Sequence, residues 1–219
     1  MRKWELKTNY RLKNQIHLMD SKMMMKRSEF LIAAMLFLAF AGTASAHDGT
    51  GHADGFVNGL MHPVLGLDHV AAMVAVGLWG AFLGRPAVWI LPVVFPLVMA
   101  FGGALGIVGV PIPFVEVGIA ASAIVIGSMV AFAVRAPNWV AAVIVAAFAI
   151  FHGHAHGTEL PSAASPLPYS AGFVISTGLL HLFGITFGML VNWPAGKMAV
   201  RIAGGAIAVA GIVFLTGVF

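Results

Sequence analysis

The 219-residue chain contains no cysteine. Structural disulfides, thiolate metal sites and thiol nucleophiles are therefore excluded, and any metal site must draw on His, Asp, Glu, Met, backbone or water. Charge is scarce as well. Asp, Glu, Lys and Arg make up 9% of the residues, against about 25% in soluble domains. That leaves too little polar surface to coat a soluble core. With 60% hydrophobic residues and a mean hydropathy of +0.95, the composition is that of a membrane protein. The formal net charge of +4 is unevenly spread, because eight of the twelve Lys and Arg residues lie in the first 27 positions. From His47 onward, Arg85, Arg135, Lys197 and Arg201 face Asp48, Asp54, Asp68, Glu116 and Glu159, a balance of −1. No basic patch remains to bind nucleic acid. There is no G-x-x-x-x-G-K-[ST] string, so the chain does not hydrolyse ATP by a P-loop, and no H-E-x-x-H.

What is present begins with a leader. Residues 25–46 read MKRSEFLIAAMLFLAFAGTASA, with Lys26 and Arg27 ahead of an apolar run over 30–40 and a small-residue site at Ala44-Ser45-Ala46. The run is short for a ~30 Å hydrocarbon core, and the pattern predicts a signal peptide cleaved after Ala46. Residues 1–46 are thus read as an N-terminal extension with a signal peptide, Met23, Met24 and Met25 being alternative starts, and 47–219 as one transmembrane domain. A mature chain starting at His47 would offer its α-amine and imidazole together to a metal ion, with His52 nearby.

Beyond the leader, apolar stretches alternate with Gly, Pro and charge, and predict six helices over 63–83, 87–108, 114–134, 138–156, 170–191 and 197–218. Each is near the ~20 residues that a spanning helix needs at ~1.5 Å per residue. The runs are continuous rather than alternating, which argues against a barrel. The expected fold is all-α, a polytopic membrane helix bundle. Cleavage would leave the mature N-terminus outside, and six spans then put 84–86, 135–137 and 192–196 in the cytoplasm. The four mature basic residues lie in or beside these connections, and the outer connections hold no Lys or Arg. Both arguments predict an inner-membrane protein with both mature termini periplasmic. The many Gly and Ala predict close small-residue packing, for instance at Gly102-Gly103 and Gly204-Gly205, and are compatible with a homo-oligomer.

Ionisable groups within a bilayer cost several kcal/mol and are candidates for function. His62 and Pro63 open the first predicted span, with Asp68 and His69 roughly 8–9 Å deeper. Glu116 falls in the first turn of the third. His152, His154, His156 and Glu159 end the fourth, and His181 is about 16 Å into the fifth. All lie in the outer half of the predicted bundle, with no compensating Lys or Arg. His152 and His156 are one turn apart and share a face, so both can reach one ion, whereas His154 points off that face. His62 and His69 would be about 10 Å apart along a straight helix. They then belong to two successive sites, or the backbone unwinds near 59–66. Asp68 is either a direct ligand or the partner that fixes a histidine tautomer. Imidazole with carboxylate suits Ni²⁺, Co²⁺, Zn²⁺ or Cu²⁺ and argues against Cu⁺.

The string His62-Pro63-x-x-Gly66-x-Asp68-His69, followed by an apolar run with Trp79, and the string Phe151-His152-Gly153-His154-Ala155-His156-Gly157-Thr158-Glu159-Leu160-Pro161 resemble the HupE/UreJ family, hydrogenase- and urease-associated nickel permeases. The resemblance takes in the leader, the mature N-terminus, Glu116 and His181, and so nearly all of 25–219. It implies a six-helix inner-membrane protein that moves Ni²⁺, or Co²⁺ in some relatives, from periplasm to cytoplasm. His62, Asp68, His69, His152, His156 and Glu159 are carried over as metal-handling residues. The partners it implies are the divalent ion, the bilayer and, indirectly, hydrogenase or urease maturation.

The expected function is therefore secondary transport without a permanently bound cofactor and without catalysis. A ladder of sites, His47 and His52 first, then His62, the His152–Glu159 cluster, Asp68, His69 and His181, would carry the ion. An inside-negative potential favours entry of a divalent cation by ~4.6 kcal/mol per 100 mV. The rivals are an intramembrane metal-dependent hydrolase and a structural subunit that binds metal only to assemble.

Overall fold

The computed structural model of the chain describes residues 52–158 and 166–217, with side chains from Gly55 in the first segment and from Leu167 in the second. Every regular element among them is helical: α1 (His52–Leu65), α2 (Leu67–Leu83), α3 (Ala87–Ile107), α4 (Val115–Ala131), α5 (Asn138–Thr158), α6 (Pro166–Gly188), a 3₁₀ turn (Met189–Asn192) and α7 (Pro194–Phe214). The chain is an all-α membrane bundle. The spans over Ala87–Ile107, Asn138–Thr158, Leu167–Asn192 and Pro194–Phe214 are each long and apolar enough to cross a bilayer, and Gly55–Leu65 with Leu67–Leu83 is long and apolar enough only as a bent pair, a broken span or a re-entrant loop. The remaining apolar helix, α4, has 17 residues, or ~26 Å against a ~30 Å hydrocarbon core.

The break between α1 and α2 corrects the expectation of a straight span over 63–83. The two helices bend by 78°. Pro63 lies inside α1 rather than in the first turn of a span, where it has no N–H to donate and crowds the preceding turn. α1 ends two residues later. Gly66 is then the pivot: its backbone is extended (φ −83°, ψ 105°), its N–H donates to the His62 carbonyl at 3.3 Å, and its own carbonyl accepts from the Val70 N–H at 2.9 Å. The chain thus turns sharply while keeping a hydrogen bond on each side, which a hydrocarbon environment demands.

α2 is the central helix, packed against α3, α4, α6 and α7. Residues 72–80 are all buried except Val74, the pattern of a helix apolar on every side. Large side chains such as Trp89, Leu97, Val143, Leu179 and Ile202 point outward, where lipid would cover them. Neighbouring backbones meet through glycine. A Cβ on Gly153 or Gly157 of α5 would collide with the carbonyls of Met99 and Gly103 on α3, and one on Gly77 of α2 with the His181 carbonyl of α6. Close packing of this kind is how helices associate without a hydrophobic driving force. Gly102 and Gly204 serve in such contacts as expected, against Ile150 and Gly127. Gly205 does not: a Cβ there would sit at an ordinary 3.9 Å from Ala131 Cβ.

The two ends of the bundle differ chemically. Arg85 follows the C-terminal end of α2, the Arg135 guanidinium lies 5.3 Å from the centre of the Phe82 ring, and Arg201 Nε donates to the Ala131 carbonyl at 2.8 Å. Lys197 is one turn before Arg201 on α7. His69, at the other end of α2, is ~20 Å along the axis from Phe82.

Candidate metal centre

The bend at Gly66 decides how the histidines meet. Seven residues along a straight helix would hold His62 and His69 ~10 Å apart, but here their ring centres are 6.4 Å apart. Of the two arrangements that their spacing allowed, the structure has the broken backbone. α5 then brings His156 between them, 4.8 Å from the His62 ring and 4.5 Å from the His69 ring. One turn earlier on α5, His152 lies 4.9 Å from His69. Two imidazoles on one ion, with metal–nitrogen bonds of ~2.0–2.1 Å, have ring centres roughly 4.5–5.2 Å apart. The three shorter separations fall in that range. Among the described residues no group of three His, Asp or Glu side chains is placed to hold an ion as the rings stand.

The hydrogen bonds around the rings leave several ring nitrogens without a partner among the described residues. Asp68 Oδ1 accepts from His69 Nδ1 at 2.7 Å and from the His69 backbone N–H at 2.8 Å. A proton held at Nδ1 leaves Nε2 with its lone pair, and Nε2 is buried without a partner. Ser122 on α4 does the same for His152. Its hydroxyl donates to the Ile119 carbonyl at 2.6 Å, so its oxygen accepts from His152 Nε2 at 2.9 Å, and Nδ1 is left unprotonated, buried and unpartnered. Both nitrogens of His156 are buried and unpartnered. Each such group costs about 1–3 kcal/mol unless something satisfies it. A carboxylate or hydroxyl behind each imidazole, with the far nitrogen open, is the arrangement that orients histidine ligands for a metal ion.

Aromatic rings shield the cluster. Phe173 of α6 packs 4.2 Å from His156, and Tyr169 lies 6.0 Å from His62. A cavity of about 200 Å³ between α3, α5 and α6 reaches His156, lined by Met99, Gly103, Ile107, Gly157 and Phe173 among others. His181, on α6, does not join the four rings. It lies beyond Phe95 of α3, whose ring centre is 5.4 Å from His152 and 5.3 Å from His181.

The other sequence candidates are placed differently. Glu116 is in the first turn of α4 as expected, but its side chain is exposed. His52 begins α1. His47 and Glu159 lie outside the described residues. His154, expected off the ligand face, is buried rather than solvated, with Nε2 2.7 Å from the Val110 carbonyl. It ties α5 to the loop between α3 and α4. Sequence reasoning missed Ser122 and Phe95. Ser122 is one of two serines in a helix that is apolar beyond Glu116 in its first turn, which is a weak signal. Phe95 is one of 16 phenylalanines and carries none.

Two comparisons with known proteins place the chain in a family. The family model described as HupE / UreJ protein matches residues 34–214. Protein HupE of Rhizobium leguminosarum bv. viciae is 49% identical over 180 residues, which is 82% of this chain and 94% of that protein. No solved structure matches. The two motif strings, the paired helices that carry them and the match over most of the chain agree: the chain belongs to the HupE/UreJ family.

Proposed function

We propose that the protein is a secondary transporter that moves a divalent transition-metal ion, Ni²⁺ first and Co²⁺ next, from the periplasm into the cytoplasm to supply maturation of hydrogenase or urease. The carrying observation is the bend at Gly66. It sets His62 and His69 around His156, with Asp68 behind one imidazole and an open nitrogen on the other side. Conduction needs binding that is favourable yet reversible.

Family membership supports the metal reading. The basic residues at one end of α2 and the imidazoles at the other support an orientation with the histidines outside. The membrane potential then drives the ion inward, by ~2.3 kcal/mol per charge per 100 mV. No catalytic step is assigned.

Uptake of radioactive Ni²⁺ into sealed vesicles holding only the purified protein and lipid tests this reading. Accumulation that grows with an inside-negative potential and is lost in His69→Ala supports it. Wild-type vesicles that accumulate no more than protein-free ones, or that instead turn over lipid or peptide, would contradict it.

A further inference from the structure

Below the four-histidine cluster, α6 carries two buried polar groups that nothing in the outer centre uses. His181 is 1% exposed and Thr177 is 0% exposed. Among the described residues neither His181 ring nitrogen has a hydrogen-bond partner, nor has Thr177 Oγ1. They are four residues apart on one helix and share a face. An unpartnered buried polar group costs about 1–3 kcal/mol, and native interiors hold few of them. Two within one turn of one helix require a reason.

The neighbours narrow that reason. The Gly77 backbone of α2 comes so close to the His181 carbonyl that a Cβ there would collide. On the outer side stands Phe95, fully buried, in ring contact with both His152 and His181. The Phe95 ring is thus sandwiched between an imidazole of the outer centre and the deeper one.

We propose that His181 and Thr177 form a second, inner station for a divalent cation, and that Phe95 is the partition between it and the outer centre. This rests on the metal-transport reading and adds to it a second site and a step. An imidazole nitrogen and a hydroxyl oxygen make an incomplete donor set. The ion there keeps water ligands and is held more weakly than among the outer imidazoles. A weak site after a strong one, with an apolar ring between, allows the ion to move on while blocking a continuous file of water.

The test uses the full chain in lipid nanodiscs and in sealed vesicles, with Co²⁺ binding read by equilibrium dialysis and visible absorption, and Ni²⁺ uptake read with radioactive metal. His181→Gln and Thr177→Val keep side-chain size, and their thermal unfolding is followed to confirm that they fold. Wild type is expected to bind one more ion per chain than His181→Gln, while the Co²⁺ absorption from the outer centre stays the same in both. Uptake is expected to fall at least about tenfold in His181→Gln, as for loss of groups that hold a metal in place, and less in Thr177→Val. Phe95→Ala is expected to speed uptake and to make the vesicles leak protons. Equal stoichiometry and equal uptake in wild type and His181→Gln, with His69→Ala still inactive, would overturn the inner station and leave the outer centre standing. Unchanged uptake and no leak in Phe95→Ala would overturn the partition. Failure of the transport reading shows separately, as wild-type vesicles that take up no metal.

Discussion

His69 Nδ1 lies 2.7 Å from Asp68 Oδ1, and the same oxygen accepts the His69 backbone N–H at 2.8 Å. Adjacent residues rarely fix one another so fully. The carboxylate holds the imidazole through one bond and the backbone through the other, and a proton kept at Nδ1 leaves Nε2 with its lone pair. Asp68 also sits in the first turn of α2, where a negative charge is favourable beside the helix N-terminus.

Asp68→Asn should therefore leave the protein folded but weaken metal binding by about 10–100-fold, the usual loss when the partner of a histidine ligand is removed. Ni²⁺ titration of the purified variant checks this. His69→Ala, which removes the ligand itself, should lose more. Equal affinity in wild type and Asp68→Asn would show that the carboxylate does not orient the ring for metal.

Gly66→Ala tests the pivot. A Cβ at Gly66 would stand 2.9 Å from His69 Nδ1 and 3.0 Å from Asp68 Oδ1, too close for both groups to stay. The pair must move, because its position is what the missing side chain permits. Uptake should fall about as far as in Asp68→Asn, with helix content by circular dichroism unchanged. Full activity in Gly66→Ala would mean that the pair tolerates displacement.

Ser122→Ala should leave His152 Nε2 without an acceptor. The expected results are a loss of about 1–3 kcal/mol in stability and weaker Ni²⁺ binding, because the tautomer that frees Nδ1 is no longer favoured. Thermal unfolding with and without Ni²⁺ separates the two effects: the variant should gain less stability from metal than wild type does.

His154 provides the contrast within the same motif. Its Nε2 bonds the Val110 carbonyl, while its Nδ1, like that of His152, is buried without a partner among the described residues. His154→Ala should destabilise the protein by about 1–3 kcal/mol while leaving Ni²⁺ affinity unchanged, whereas His152→Ala and His156→Ala should lower the affinity. A His154→Ala variant that loses metal binding at wild-type stability would reverse these roles.

The membrane class, the helical runs and the two histidine strings were legible in the sequence, because apolar length and rare ionisable residues are local features. The spacing of His62 and His69 even narrowed the backbone to two arrangements, and Pro63 and Gly66 were both in view. The straight span over 63–83 failed because a run of apolar residues reads the same whether a helix is continuous or bent. Side-chain partners were not legible. Ser122 meets His152, and Phe95 meets His181, only through the rotation and approach of separate helices, which are set by glycine contacts such as Gly153 against Met99. His154 looked no different from its neighbours until the loop after α3 was seen to pass beside it.

The central claim is that imidazoles from α1, α2 and α5 converge on one ion. X-ray absorption of Ni²⁺ bound to the purified protein tests it most directly. The account predicts scattering from at least three imidazoles at ~2.0–2.1 Å, reduced by one ring in each of His62→Ala, His69→Ala and His156→Ala. A shell made only of oxygen donors, or a spectrum that none of these substitutions changes, would contradict it.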